Sequence, residues 1–308
     1  MDKIKLFAPA TVANLSCGFD VLGCCLDEVG DEMLISKNSE QKLRIPKITG
    51  QDLPLEVDKN VAGVAAKALL DELGEKQGFD IEIKKNIKAG SGIGSSAASA
   101  AGAVFGINKL LGEPFSTNQL IKFAMEGERL ASGNAHADNV APALLGNFSL
   151  VRSYEPLEIL SLPSLPEFRI LVLHPLIELK TKDSRSIIRQ NVALTKAINQ
   201  WGNLGALVSA LYTKDYELFG RSLKDEIIEP VRSILIPYFD ELKALAIANG
   251  ALGFGISGSG PSVFAMCKGD VVAQKLKSEF QEFYQDKNID FDLHLSKINA
   301  EGIKIVSD

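Results

Sequence analysis

The sequence predicts an α+β fold in two parts, and three observations predict it. Short alternating stretches of strand type are interleaved with amphipathic helical stretches in both halves of the chain. A segment holding Pro156, Pro163 and Pro166 separates those halves at a natural junction. The length of 308 residues, 46% of them hydrophobic, is enough for two cores of about 150 residues each. The boundary falls at residue 160, giving parts 1–160 and 161–308.

Residues 3–7 alternate polar and apolar before Ala8-Pro9-Ala10, a short strand running into a loop. The loop, 11–20, carries Asn14 and Asp20 around Gly18; both residue types favour Asx-turns, so turn chemistry alone accounts for them at this point. Segments 21–26, 31–37 and 42–45 read as further strands of an antiparallel sheet. Asp58, Lys59 and Asn60 cap a helix that runs through Leu70, and 79–85 alternates as a strand.

That strand leads into Gly90, Gly92 and Gly94, then Ser95 and Ser96, ahead of an alanine-rich helical run. Glycines accept positive φ and let the backbone approach a ligand, and the free N–H groups of a first helical turn sit at the positive end of the helix dipole. The stretch reads as a loop built to hold an anion; an ordinary turn would need one or two glycines. Of the two hydroxyls, one can cap the helix and the other can face a metal. Ala97, Ala98, Ala100 and Ala101 permit close packing of the helix on a neighbour. No G-x-x-x-x-G-K-[ST] occurs, so a Walker-type loop is excluded. A G-x-G-x-x-G does occur at Gly253, Gly255 and Gly258, but Ser259-Gly260-Pro261 leads into a strand-like run rather than a helix, which excludes a dinucleotide fingerprint.

Residues 114–117 mark another helix start, with Leu120, Phe123, Ala124 and Leu130 on one face. Glu126 and Glu128 cannot share a face of that helix, so one can turn inward while the other is solvated. A dense polar turn, 132–142, brings His136, Asp138 and Asn139 into one small loop, where capping is an equal reading; a short helix and a strand at 147–152 follow. The second part opens with a strand at 168–174. A polar loop, 181–185, with Thr181 and Arg185, precedes helices at 186–201, 203–212 and 215–225, and Arg232 begins a longer helix ending near Gly250. Taken singly, Arg185 and Arg232 read as surface arginines. Strands at 250–256 and 262–267, a helix at 271–285 and strands at 291–295 and 302–306 complete the part.

The net charge of −6, with no long run of either sign, argues against a nucleic-acid surface but leaves room for a local cationic pocket. There is no apolar run near 18 residues and no charged-then-apolar start, so neither a membrane partner nor export is expected and the cytoplasm is the expected compartment. Cys17, Cys24, Cys25 and Cys267 contain no C-x-x-C and read as reduced thiols, two or three of them buried. His136, His174 and His294 lack the i, i+4 spacing of a metal helix.

With the motifs in view together, the chain resembles the GHMP kinases. The family's central motif, Pro-x-x-x-Gly-Leu-Gly-Ser-Ser-Ala-Ala, is matched from Lys88 to Ala98, with Lys88 at the proline and Ile93 at the leucine. The C-terminal glycine motif is matched from Gly253 to Ser262. The segment Pro9 to Gly23 is similar to the homoserine kinase branch, with Ser16 as a small-for-small exchange at a glycine of that pattern, and His136-Ala-Asp-Asn139 is similar to the same branch's loop. The Gly-Glu-His of galactokinases and mevalonate kinases does not occur.

The resemblance implies a ribosomal protein S5 domain 2-like N-terminal domain, a ferredoxin-like C-terminal domain, and ATP-dependent phosphorylation of the L-homoserine side-chain hydroxyl in threonine biosynthesis. It places the ATP phosphates along Lys88, Gly90, Ser91, Gly92, Ile93, Gly94, Ser95, Ser96 and Ala97, and adenine near Asn60 and Val61. Mg²⁺ needs hard oxygen ligands, for which Ser96 with Glu128 suffices and Glu126 is the second choice. Arg185 and Arg232 would take the substrate carboxylate, since an arginine fork bonds both oxygens. Asn14, Asp20 and His136 would lie near the amine and hydroxyl, with Thr181 and Asn139 where the hydroxyl meets the γ-phosphate. Asp20 is the one carboxylate nominated as a base, although the ammonium can occupy it. The family also implies a homodimer. Another GHMP small-molecule kinase and a catalytically silent sensor remain as alternatives.

Overall fold

The computed structural model describes residues 1–74, 76–177, 179 and 181–306, and of residues 181–183 only the backbone. Strand β1 (Lys3–Ala13) pairs antiparallel with β2 (Leu22–Asn38). The segments expected as two strands, 21–26 and 31–37, are one: a register shift opposite Pro9 and Thr11 bends β2 without ending it. Strands β3 (Leu43–Thr49) and β4 (Gly78–Lys84) pair parallel beside it, and β5 (Phe148–Tyr154) with β6 (Leu157–Leu162) extends from the other end of β2.

Helices α1 (Val61–Leu73), α2 (Ser95–Leu110), α3 (Thr117–Ser132) and α4 (Val140–Leu145) pack on one another and on this sheet. In α2 only Ser96, Phe105 and Lys109 are not fully buried, as befits a helix apolar all round. The small residues make that possible: a Cβ at Gly102 would stand 2.3 Å from Met33 Sδ.

The second sheet is antiparallel in the order β10-β7-β9-β8, from β7 (Phe168–Pro175), β8 (Gly253–Ile256), β9 (Val263–Lys268) and β10 (Phe291–Lys297). Helices α5 (Thr181–Ser186), α6 (Leu194–Thr213), α7 (Tyr216–Ser222), α8 (Glu229–Arg232) and α9 (Phe239–Ala248) lie between β7 and β8, and α10 (Gly269–Gln285) between β9 and β10. This β-α-β-β-α-β order is ferredoxin-like, as the resemblance implied. Phe239, Phe254, Phe280 and Tyr284 fill its core. The chain then returns to the first sheet, where β11 (Lys304–Ile305) pairs with β1.

Three expectations are corrected here. A single helix, α6, replaces those at 186–201 and 203–212, because Gly202 and Gly205 lie within it without interrupting it. Arg232 ends a helix rather than beginning one: Pro237, lacking an N–H, stands in the gap before α9. The proline-rich junction contains β6, which still pairs within the first sheet. All four cysteines are buried.

Candidate active site

The glycine loop faces a cavity of about 810 Å³ that residues of both parts of the chain line. Gly90, Gly92 and Gly94 all have left-handed φ, +75°, +85° and +69°. At two of them the space also demands glycine: a Cβ on Gly94 would be 2.0 Å from Thr11 Oγ1, and one on Gly92 would be 2.8 Å from the Ser257 carbonyl oxygen. Gly94 occupies the N-cap of α2, so neither serine caps it; Ser95 Oγ donates instead to the Ile87 carbonyl at 2.9 Å.

Lys88, Gly90, Gly92, Gly94, Ser95 and Ser96 border the cavity. Ser91, Ile93 and Ala97 do not; they are buried behind the loop, with the Ser91 and Ile93 carbonyls accepting from the N–H groups of Ser262 at 3.3 Å and Thr11 at 3.2 Å. Asn60 and Val61 also border the cavity. The Asn60 amide is already engaged, Oδ1 accepting from Ala62 N at 3.0 Å and Nδ2 donating to the Pro54 carbonyl at 2.8 Å, which makes it the cap of α1.

Of the two glutamates on α3, Glu128 turns inward and is buried, while Glu126 is only half-buried and is bonded to Arg129 at 3.1 Å. Burial pushes the Glu128 carboxyl up to about 7, opposed by the nearby Ser96 hydroxyl, and Oε1 has no hydrogen-bond partner. An orphaned carboxylate oxygen beside a hydroxyl is a donor set that suits a hard divalent cation, so Ser96 and Glu128 fit Mg²⁺.

The turn between β1 and β2 is wound left-handed: Asn14, Leu15, Ser16 and Asp20 have φ of +71°, +39°, +59° and +60°. Ser16, at the position where the branch pattern has glycine, thus bears a conformation that glycine adopts without cost. Asn14 holds the turn, its Oδ1 accepting from Asp20 N at 3.0 Å and its Nδ2 donating to the Gly258 carbonyl at 2.6 Å. Asp20 Oδ1 receives Arg185 Nη2 at 2.6 Å and lies 3.8 Å from His136 Nδ1. Burial lowers the His136 pKa, leaving a neutral imidazole at neutral pH.

Arg185 and Arg232 are not surface arginines. Their guanidinium carbons stand 5.5 Å and 5.1 Å from the Phe19 ring centre, and Arg232, 3% exposed, donates to the carbonyls of Ser184 and Gly258 at 3.1 Å and 3.2 Å. Burial and the neighbouring Arg185 bring the Arg232 pKa down to about 10, which leaves it cationic at neutral pH. Asn139 Oδ1 accepts from Thr11 Oγ1 at 2.7 Å, so its amide NH₂ is the group left for a ligand. The Thr181 side chain lies outside the described residues.

The cavity also contains residues that sequence reasoning did not select. Asp138 is buried, its Oδ1 without a partner, and burial pushes its carboxyl up to about 7 with Asp20 and Glu128 adding to the rise. Its place between His136 and Asn139 was the available signal. Lys85, also at the cavity wall, ion-pairs with Asp31 and donates to the Ser95 carbonyl and Ser99 Oγ, each at 3.0 Å. Nothing local marks Lys85, which reads as the polar end of a strand. Among the described residues no helix is long and apolar enough to cross a membrane.

Comparison with known proteins agrees with this geometry. The GHMP kinases N terminal domain matches residues 60–147 and the GHMP kinases C terminal domain matches residues 207–286. A homoserine kinase of Chloroherpeton thalassium is 44% identical, over 99% of this chain and 100% of that protein, and one of Methanococcus vannielii is 39% identical, over 92% and 94%. The crystal structure of homoserine kinase from Cytophaga hutchinsonii is 47% identical, with a TM-score of 0.95 over 99% of this chain and 98% of that one. Mevalonate diphosphate decarboxylase of Staphylococcus aureus, 15% identical with a TM-score of 0.75 over 99% and 98%, shares the fold. Identity at this level along the whole chain, on the fold that the two sheets define, means that the chain belongs to the homoserine kinase family of the GHMP kinases.

Proposed function

We propose that the protein transfers the γ-phosphoryl group of ATP to the side-chain hydroxyl of L-homoserine, giving O-phospho-L-homoserine, ADP and a proton. The observation that carries this reading is one cavity with two chemistries: a glycine-lined anion loop at the start of α2, and a pair of arginines stacked on Phe19 beside Asn14, Asp20 and His136.

Arg185 and Arg232 supply forked donors for the amino-acid carboxylate. Asp20 and the neutral His136 offer acceptors to the ammonium, and Asn14 keeps Asp20 in place through the Asp20 N–H. A substrate with both charges thereby spans the pocket and carries its hydroxyl toward Asn139. On the other side, N–H groups of the loop at Gly90, Gly92 and Gly94 and the first turn of α2 suit the triphosphate, with Asn60 and Val61 beside the adenine. Ser96 and Glu128 would hold Mg²⁺, which when bound neutralises charge on the β- and γ-phosphates. Attack by the hydroxyl oxygen on the γ-phosphorus breaks the bond to the bridging oxygen, and positioning with charge stabilisation supplies most of the rate. Threonine biosynthesis is the place of this reaction, and the cytoplasm its compartment; the modest negative charge without a basic run favours small-molecule partners over nucleic acid.

ADP release with ATP and L-homoserine, set beside L-serine, L-threonine, mevalonate and galactose and followed by phosphorus NMR, tests the reading. A phosphate monoester formed with homoserine alone, and lost when Mg²⁺ is chelated, is expected. Turnover of mevalonate or galactose in preference to homoserine would overturn it in favour of another kinase of this superfamily, and ATP binding without turnover of any substrate in favour of a sensor.

A further inference from the structure

Helix α6 buries Ala197, Gln200, Leu207, Ala210 and Leu211 against the body of the protein. Gln200 is the one polar side chain among them and is 7% exposed, although it does not line the cavity. A buried amide on an apolar stripe is costly unless its donors and acceptor are met, and here they are. Nε2 donates at 3.1 Å both to the Cys17 carbonyl and to Asp225 Oδ1, and Oε1 accepts from Glu226 N at 2.9 Å. These partners also fix which way the amide points: turned over, its oxygen would face two acceptors and its NH₂ group a donor.

The two sides that this amide joins carry the two halves of the amino-acid clamp. Cys17 belongs to the turn between β1 and β2, which also holds Asp20 and Phe19, on whose ring the guanidinium groups of Arg185 and Arg232 stand. On the other side Asp225 gathers the chain entering α8: Oδ1 accepts from Ile227 N and Ile228 N, and Oδ2 from Glu229 N, each at 2.9 Å. The Ile228 carbonyl in turn accepts from Arg232 N at 2.9 Å. The path closes on itself, from Gln200 through Cys17 and Phe19 to Arg232 and back through Ile228 and Asp225. Phe19, Asp225, Ile228 and Arg232 all line one small void of about 10 Å³.

A second fastening lies at the cavity, where the Gly258 carbonyl accepts from Asn14 Nδ2 at 2.6 Å and from Arg232 Nη1 at 3.2 Å. One fastening lets the turn and α8 pivot about it; two set the distance between Phe19 and Arg232. We infer that Gln200 is a positioning residue of the amino-acid subsite: through Cys17 and Asp225 it holds the Phe19 turn and the Arg232 helix at the separation at which the arginine fork meets the substrate carboxylate. The inference rests on the reading of Arg185, Arg232 and Asp20 as that subsite. The glycine loop is fastened elsewhere, its carbonyls accepting from Thr11, Ser257 and Ser262, so the nucleotide side does not depend on this path.

Gln200→Met keeps the length of the side chain and removes its hydrogen bonds. With ADP release as the assay, it is expected to raise KM for homoserine about tenfold, the equivalent of one ordinary hydrogen bond, with KM for ATP and kcat within about twofold of the parent. Asn203→Leu, which breaks another bond from α6 to the same segment, at the Lys224 carbonyl, should leave all three unchanged. Gln200→Asn, which keeps the amide but shortens its reach, should raise the homoserine KM by a smaller factor and serves if the methionine variant does not fold. Because Gln200 acts through the placement of Arg232, adding Gln200→Met to Arg232→Met should lower kcat/KM for homoserine little further than Arg232→Met alone. Losses that multiply, KM values for ATP and homoserine that rise together, or parental kinetics in both Gln200 variants would overturn the positioning role. No turnover of homoserine by the parent, or an Arg232→Met variant with unchanged homoserine KM, would instead sink the subsite reading, and this inference with it.

Discussion

Asp138 has an exposure of 4%, an Oδ1 with no hydrogen-bond partner, and two carboxylates, Asp20 and Glu128, raising its pKa further. A carboxyl moved from its ordinary 3.8 to about 7 on folding is bound to its proton more tightly in the folded state. Its contribution to stability is therefore fully present below about pH 4 and is lost as the pH rises through 7. At 1.36 kcal/mol per unit the loss is on the order of 4 kcal/mol by pH 8. Asp138→Asn, which cannot ionise, is expected to raise the melting temperature of the ligand-free protein at pH 8 by several degrees more than at pH 5. Equal shifts at the two pH values would show that Asp138 is not held protonated by its surroundings. The same burial at Glu128 is what a bound cation would relieve.

Among the elements, the glycine loop owes its shape to the two ends that hold it. Lys85, the residue after β4, reaches the start of α2 through the Ser95 carbonyl and Ser99 Oγ. Its partner Asp31, on β2, accepts from the N–H groups of Asn86 and Ile87 at 2.8 Å and 3.0 Å. One buried ion pair thus ties the strand before the loop to the helix after it. Removing one member of such a pair costs roughly 3–5 kcal/mol because the other charge is stranded. Lys85→Met should lose about that much in urea unfolding, and adding Asp31→Asn should recover part of it, since the amide oxygen can still accept from the two N–H groups. A double variant weaker than the single one would place the cost elsewhere. The loop's grip on nucleotide should loosen in the single variant, seen as a raised KM for ATP.

At the scale of the whole molecule, the two parts of the chain share both a core and the site. Phe168, Phe219, Phe264 and Met266, from the second part, pack in the same apolar cluster as Leu6, Leu22 and Phe148 of the first. The β8–β9 turn is bonded across to the first part at two places: Ser257 Oγ donates to the Gly92 carbonyl of the glycine loop at 2.8 Å, and Gly258 N donates to the carbonyl of Ala13, at the end of β1, at 3.2 Å. The second part has a further cluster of its own around Phe239 and Phe254, but with the larger core and the cavity held in common the two parts are coupled. Calorimetry is expected to show one transition, with calorimetric and van't Hoff enthalpies equal for the cooperative unit. Two resolved transitions, only one of them raised by ATP, would contradict this.

What the sequence by itself determined are features whose cause is local. The anion loop is legible because three alternating glycines and a helix start are contiguous, the Asn60 cap because capping acts over two or three residues, and the false dinucleotide motif because Pro261 and the strand after it adjoin the glycines. The helical pattern alone does not choose between Glu128 and Glu126, since both stand on one helix and only packing decides which is buried; the preference for Glu128, with Glu126 second, comes from the resemblance, and the packing agrees with it in burying Glu128. The break at Pro237 is itself a local signal, a missing N–H, that the expected helix from Arg232 overlooks, whereas α6 continues through two glycines because tertiary contacts override weak local preferences. Lys85 and Asp31 stand 54 residues apart in sequence, and Arg185 and Asp20 stand 165 apart. Only the tertiary structure brings such pairs together, because burial and charge pairing depend on what the rest of the chain places around a residue, which no stretch of sequence contains.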